Sequence, residues 1–216
     1  MAKIEVEHRG RLTPEEFSRI RKYFQKNAKF LGEKRRFSII YTTSVLSTRE
    51  AKNDKIDLKL RITNSQPEIA LKYGKWSGKD ARKEFIFDID PEQYDDFVEF
   101  LKILGYHRAI MIANTKHDFL FHGIEFSLVE VPDWGHYFEA EILSEEDKVK
   151  NSIQMIEKEL KALKLKACDN KDYYKLLDEL NNRSGARVDL NDLSTSKIKK
   201  KFKKYFIANY NTDSTN

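Results

Sequence analysis

A single cysteine, Cys168, rules out an intrachain disulfide and a cysteine cluster of the kind that holds zinc. No stretch approaches the roughly 20 apolar residues needed to cross a bilayer. The first residues, Met1-Ala2-Lys3-Ile4-Glu5, carry no apolar secretory run, so a cytoplasmic protein is expected. Glycine-rich phosphate loops, internal repeats and low-complexity segments are all missing. His107, His117, His122 and His136 show no metal-ligand spacing, and His8 reads as a packed or surface residue. Trp76 and Trp134 read as core or rim residues rather than base-stacking platforms.

Charge is abundant instead. Charged residues make up 35% of the 216, against about a quarter in an ordinary soluble domain. Lys and Arg number 40 and Asp and Glu 35, a net charge of +5. That excess favours an anionic partner (phosphate, nucleotide or nucleic acid) without choosing among them. Apolar residues at 40% and aromatics at 12% suffice for a real core.

The hydrophobic periodicity divides the chain into strands and helices. A strand is expected over 4–9. Thr13-Pro14-Glu15-Glu16 forms a helix start with a Thr cap, an early Pro and a capping-box Glu. Phe17, Ile20, Phe24, Ala28 and Leu31 then recur at helical spacing, up to a stop at Gly32. Further strands are expected over 37–44, 57–63, 68–73, 82–88, 108–114, 116–121, 123–131 and 135–143, with a loop at 46–55. Turn chemistry marks 64–67, 77–80 and His122-Gly123. Helices are expected from Asp90-Pro91-Glu92 to Gly105, from Ser144 through Leu163, and over 172–182 and 194–210, with the strands ending near 165 and the last six residues frayed. This order suits an antiparallel barrel or curved sheet with helices outside it.

The strands sort their charges. Glu5-Val6-Glu7-His8-Arg9 and Glu139-Ala140-Glu141 each place two acids two residues apart, on one face of a strand. Four carboxylates on one surface repel unless something offsets them, and Mg²⁺ or Mn²⁺, which prefer oxygen ligands, would do so. The central strands carry Arg61, Lys72 and Arg82 in the same alternation. An ordinary antiparallel sheet with one wetted face also alternates. A wetted face, however, has no reason to collect acids in the terminal strands and cations in the central ones. A tunnel with metal at one wall and phosphate oxygens at the other does, and the planar arginine fork suits phosphate.

With these residues in place, the chain resembles the CYTH superfamily, the triphosphate tunnel metalloenzymes. Glu5-Val6-Glu7-His8-Arg9 is similar to the family's ExExK signature, with Arg for the final Lys. Leu60-Arg61-Ile62, Ala70-Leu71-Lys72 and Arg82-Lys83-Glu84 resemble its Arg, Lys and Arg-x-Glu strands. The stretch 128–141 resembles its closing hairpin and final acidic strand, and Tyr173-Tyr174-Lys175-Leu176-Leu177 a late helical element. The resemblance spans about residues 2–180 and divides the chain into a tunnel domain, 1–180, and a basic helical extension, 181–216.

It implies an α+β fold: an eight-stranded antiparallel barrel, open at both ends, with helices packed outside. It implies a triphosphate-bearing small molecule as ligand and Mg²⁺ or Mn²⁺ as cofactor. Carried over by position, Glu5, Glu139 and Glu141 would hold one ion and Glu7 would contribute to a second. Arg9, Arg61, Lys72, Arg82 and Lys116 would grip phosphate oxygens, Arg9 and Lys72 with catalytic roles, and Glu84 would orient a cation. The chain departs from the pattern at Thr63 and Asn114, where cations are expected, and at Val129, where an acid is expected; Glu130 should face the other way. A shift of two around Asn114 would instead make Arg108 an interior residue.

The leading expectation is a metal-dependent triphosphatase. A class IV adenylyl cyclase is the alternative, although no adenine pocket is identifiable, and the three departures motivate a non-catalytic polyphosphate binder. The lysine-rich segment 197–206 could bind RNA or an anionic surface. Its Ile198, Phe202, Tyr205 and Phe206 fall at helical spacing, which favours a helix docked on the barrel. A homodimer is left open.

Overall fold

The computed structural model describes residues 4–41, 56–74 and 79–207. The expected loop at 46–55, the strand end at 42–44, Trp76 with the Ser77-Gly78 half of its turn, and the last six residues lie outside the described residues.

Eight strands form one antiparallel sheet closed on itself: β1 (Ile4–Leu12), β2 (Lys29–Tyr41), β3 (Ile56–Thr63), β4 (Gln66–Tyr73), β5 (Lys79–Asp88), β6 (Arg108–Phe121), β7 (Ile124–Val131) and β8 (Gly135–Ser144). Their order is β2-β3-β4-β5-β1-β8-β7-β6, and the β2–β6 ladder completes the ring. Closure leaves no open sheet edge within the ring. The expected barrel is therefore the fold found. Two tight hairpins fix the register. Asn64-Ser65 (φ 48°, 73°) joins β3 to β4, and His122-Gly123 (φ 50°, 79°) joins β6 to β7. Both pairs adopt the left-handed backbone that matches strand twist in two-residue turns.

Three expected boundaries are corrected. Helix α1 (Pro14–Asn27) has the expected capping box, Glu16 N donating to Thr13 Oγ1 and Thr13 N to the Glu16 carboxylate, but it stops before Gly32. Lys29–Leu31 already belong to β2, and Gly32 (φ 139°) marks a bulge where the β2–β6 register shifts. A glycine that reads as a helix stop is thus a strand irregularity. The two strands expected on either side of Thr115 are one continuous strand, β6. The strands also do not end near 165: a short β9 (Arg187–Asp189) pairs with the start of β6.

The remaining helices are α2 (Tyr94–Ile103), α3 (Val149–Ala162), α4 (Asn170–Asn181), α5 (Thr195–Lys201) and α6 (Lys203–Phe206). The single helix expected over 194–210 is interrupted at Phe202. Outside the barrel, α1 and α3 bury Phe17, Ile20, Phe24, Ile156 and Leu160 against Val6, Phe126, Leu128 and Phe138. On the other side α2, α5 and α6 bury Tyr94, Val98, Ile198 and Tyr205 against Phe37, Ile39, Leu60 and Ile62. Phe202 stacks on Phe37 with ring centroids 4.2 Å apart. The lysine-rich segment is therefore docked by its apolar side. Between the two helix layers β5 is bare: Phe85 and Phe87 point outward and remain 39% and 64% exposed.

One connection shapes the barrel end. After α3 the chain runs beside β1 where β5 no longer reaches, and Cys168 N donates to Arg9 O at 2.8 Å. Gly10 makes this approach possible, since a Cβ there would lie 2.2 Å from Lys166 O and 2.6 Å from the Phe138 ring. The route delivers α4 across the mouth. Leu180 and the following Ala186 pack with the inward-facing Ile110, Ile112, Val129 and Val131. This end is stopped on its β6–β7 side by apolar side chains.

Gly10→Ala should destabilise the fold by about 1–3 kcal/mol through overpacking. Urea unfolding measures this, and a wild-type midpoint would show that the chain after α3 does not press on β1 as described.

Candidate active site

Residue parity decides which side chains enter the barrel. On β1, Val6 packs outward beneath α3, so Glu5, Glu7 and Arg9 face inward. The same alternation points Asp57, Lys59, Arg61 and Thr63 inward from β3, Glu68 and Lys72 from β4, Arg82 and Glu84 from β5, and Tyr137, Glu139 and Glu141 from β8. Asn114, Lys116, Asp118, Ser127 and Val129 face inward from β6 and β7, whereas Glu130 is exposed. The expected orientations of Val129 and Glu130 are those observed. Arg108 shares the parity of Ile110 and Ile112 but stands at the very start of β6, where it is exposed rather than within the charged interior.

Contacts between non-adjacent strands confirm the shared interior. Lys72 Nζ on β4 donates to Glu5 at 2.6 Å and Glu7 at 3.2 Å on β1, reaching past β5. Arg61 Nη1 on β3 lies 3.7 Å from Glu84 on β5, and Lys72 shares that carboxylate at 4.0 Å. Arg82 Nη1 on β5 donates to Asp57 on β3 at 3.3 Å, and Lys59 Nζ lies 2.9 Å from the same carboxylate. Lys116 on β6 donates to Glu139 on β8 at 2.5 Å. Strands two apart are separated by roughly 10 Å, and only side chains converging on a concave face bridge that gap so closely.

Arg9 is fixed at the stopped end. It is ion-paired with Glu7, its Nη1 donates to Tyr173 OH on α4 at 2.7 Å, and its guanidinium lies 5.1 Å from the Tyr173 ring centroid. Tyr137 sits close by. Burial first, then Glu139, hold its phenol well above the ordinary range, so it keeps its proton.

The acids differ in how they are neutralised. Burial favours the protonated form of Glu7, but Arg9 and Lys72 outweigh it and hold the carboxyl well below its usual range. Burial also opposes the charge on Lys72, yet Glu7 and Glu5 keep it firmly protonated. Glu141 has no hydrogen bond or ion pair among the described residues. Burial, then repulsion from Glu5 and Glu7, pushes its pKa up to about 9. Glu7 and Glu141 are ladder partners, so Glu5, Glu7 and Glu141 form one acidic wall. Glu139 turns instead to Lys116.

An all-oxygen wall with one unneutralised carboxylate fits a hard divalent cation in donor chemistry. Among the described residues, no three acids or histidines stand close enough to ligate one ion in this arrangement. Glu5 and Glu7 are turned to Lys72, which holds the place of a cation.

All ten residues singled out from the sequence, Glu5, Glu7, Arg9, Arg61, Lys72, Arg82, Glu84, Lys116, Glu139 and Glu141, face this interior. Sequence reasoning missed Arg36, which points inward from β2; Asp57 and Lys59 share the charged face of their strand with Arg61, and as a pair they brace Arg82. The Arg36 signal is the basic run Lys34-Arg35-Arg36, hidden because the local pattern starts the strand at Phe37. His8 is buried on the outward face between β1 and α3. Burial, with Lys79 nearby, holds it neutral down to about pH 4, and it takes no part in the interior.

No family model matches the chain, and no curated protein matches it. Solved structures do. The PH1819 protein of Pyrococcus horikoshii OT3 is 24% identical, with a TM-score of 0.66 over 81% of this chain and 98% of that one. A candidate adenylate cyclase of Vibrio parahaemolyticus is 17% identical, with a TM-score of 0.60 over 82% and 99%. HpAC1 of Hippeastrum, a candidate adenylyl cyclase with a dominant triphosphatase activity, is 15% identical, with a TM-score of 0.52 over 78% and 90%. The chain has the barrel fold of these proteins.

A raised carboxyl pKa in the folded state means that Glu141 binds a proton which the unfolded chain releases above about pH 4.5. Its contribution to stability therefore declines as pH rises from there through about 9. Glu141→Gln should raise the melting temperature of the metal-free protein, with the gain growing between pH 5 and 9. A pH-independent gain, or a loss, would contradict the acidic wall.

Proposed function

We propose that the barrel interior binds a triphosphate-bearing small molecule together with Mg²⁺ or Mn²⁺ and hydrolyses its terminal phosphoryl group. The observation that carries this reading is the opposition of charge inside one barrel. Glu5, Glu7 and Glu141 line one stretch of wall, and Arg61, Lys72 and Arg82 reach toward it from β3, β4 and β5. HpAC1, which shares the fold, has a dominant triphosphatase activity, and this supports the reading of hydrolysis over cyclisation.

Phosphoryl transfer asks the protein for alignment and charge neutralisation more than for covalent chemistry. Glu5, Glu7 and Glu141 would hold the metal, with Glu139 joining when Lys116 turns to phosphate. When bound, such an ion polarises phosphoryl oxygens and lowers the pKa of attacking water. Lys72 leaves Glu5 and Glu7 for phosphate oxygens, so its positive charge is retained while its partner changes. Arg9 stays fixed because Glu7 and Tyr173 hold its guanidinium from two directions, and it meets the phosphate chain at the stopped end. Glu84 lies between Arg61 and Lys72 and keeps both aimed at the same volume. The apolar stopper of Leu180, Ile110 and Ile112 excludes water from that end, which strengthens every charge interaction inside.

Phosphate release from inorganic triphosphate, thiamine triphosphate and the four nucleoside triphosphates, each with Mg²⁺ and Mn²⁺, tests the proposal. Release is expected with at least one substrate, to be lost on chelation and abolished in Glu5→Gln and Glu7→Gln. Unchanged turnover in both folded variants defeats it. Cyclic AMP from ATP in the same assay would establish the cyclase instead. Thermal stabilisation by triphosphate without any product would establish a binding protein.

A further inference from the structure

Arg36 is an interior arginine with almost nothing to do in the structure as it stands. Its ladder partners are Thr63 on β3 and Asn114 on β6, both uncharged. An arginine carries five N–H donors. Arg36 uses one, Nε donating to Thr63 Oγ1 at 3.0 Å. Among the described residues, the one carboxylate within ion-pair reach is Glu68, whose Oε1 lies 3.9 Å from Nη2, too far for a hydrogen bond. That oxygen already accepts from Arg61 Nε at 2.5 Å and from Thr63 Oγ1 at 3.2 Å. One carboxylate thus faces two guanidinium groups. Arg36 and Arg61 stand near enough that, after burial, Arg61 is the main influence depressing the Arg36 pKa. Beside them the Asn114 amide makes no hydrogen bond among the described residues, and its Oδ1 is buried without a partner.

A part-buried guanidinium with four unspent donors next to a second guanidinium is an arrangement that calls for an anion with several oxygens. The Lys72 cluster does not supply one. Its acids are directed at Lys72 and Arg9, and among the described residues the ion pairs that link it to this wall run through Glu84 and Arg61. Besides Arg82 with Lys59, and Lys116, the interior therefore holds two cationic stations on different walls: Lys72 with Arg9, and Arg61 with Arg36.

We propose that Arg36 and Arg61 form a clamp for one phosphoryl group of the bound chain, with Glu68 as the strut that holds the two guanidinium groups apart. A chain of three phosphates reaches both stations, whereas pyrophosphate fills only one. Arg36 thereby sets the preference for triphosphate over pyrophosphate. This rests on the triphosphate reading of the interior and adds the residue that measures chain length.

Calorimetric titration with inorganic triphosphate and with pyrophosphate, both in EDTA so that turnover does not intervene, tests the clamp. Arg36→Gln should weaken triphosphate binding by roughly tenfold to a hundredfold, the scale of a charged hydrogen-bonded contact, and pyrophosphate binding by less than about threefold. Arg36→Lys, which keeps the charge without the fork, should recover only part of the loss. Thr63→Arg in the Arg36→Gln background returns a guanidinium from the opposite strand and should restore the triphosphate preference. Thermal unfolding without ligand verifies that each variant is folded, and Arg36→Lys serves if Arg36→Gln is not. Equal losses for both ligands, or wild-type triphosphate affinity in Arg36→Gln, would overturn the clamp while leaving the interior site standing. A wild-type protein that binds neither ligand, in EDTA or with Mg²⁺ or Mn²⁺ supplied, would overturn the interior reading itself, and the clamp with it.

Discussion

The ammonium of Lys72, held between Glu5 and Glu7 and shared with Glu84, is the interaction on which the barrel interior depends. Charges removed from water are tolerable only when they meet opposite charges at short range. Lys72 reaches past β5 to do so, at 2.6 Å and 3.2 Å. Without it, three carboxylates on adjacent strands would face one another in a poorly solvated space. Glu141 shows the consequence, because it lacks such a partner and its proton is held to about pH 9. The imbalance is largest at Glu141, and burial raises the Glu5 carboxyl above its usual range even with Lys72 beside it.

That balance requires a rigid frame, and the outside of the barrel supplies it. Two separate apolar layers, α1 with α3 and α2 with α5 and α6, press on opposite sides of the ring. Neither layer contacts the charged interior, so core packing and site chemistry are divided between the two faces of the same strands. The exception is α4, which belongs to both. Leu180 closes the barrel end with apolar contacts, and Tyr173, on the same helix, holds Arg9. Its position follows from Gly10, where the lack of a side chain lets the chain after α3 run against β1.

The strand faces were readable because charged and apolar residues alternate in β1, β3, β4, β5 and β8, broken at His8 in β1 and at Lys83 in β5. Parity then carried Glu5, Glu7, Arg61, Lys72, Arg82, Glu84, Glu139 and Glu141 to one side. Reading failed where local signals competed. Gly32 carries the signature of a helix stop, but it serves a bulge, and the mistake shortened β2 and concealed Arg36. Phe85 and Phe87 alternate as core residues do, yet β5 falls between two helix layers and leaves them in solvent. The basic tail also admits a nucleic-acid surface beside the favoured docked helix, and the burial of Ile198 and Tyr205 shows which side faces the barrel.

The sequence by itself determined which residues share a face, because side-chain direction in a strand follows from a period of two and needs no knowledge of the neighbours. It also determined the alternating charge that makes one face wet or ionic and the other apolar. Only the tertiary structure decided that this face is the inside of a closed ring. It likewise decided which acid meets which cation, and that one end is stopped. Those facts depend on contacts between residues far apart in the chain, such as Lys72 with Glu5, Arg9 with Tyr173 and Arg36 with both Thr63 and Asn114. Local pattern carries no record of such distances. They are set when the ladder between β2 and β6 closes the sheet.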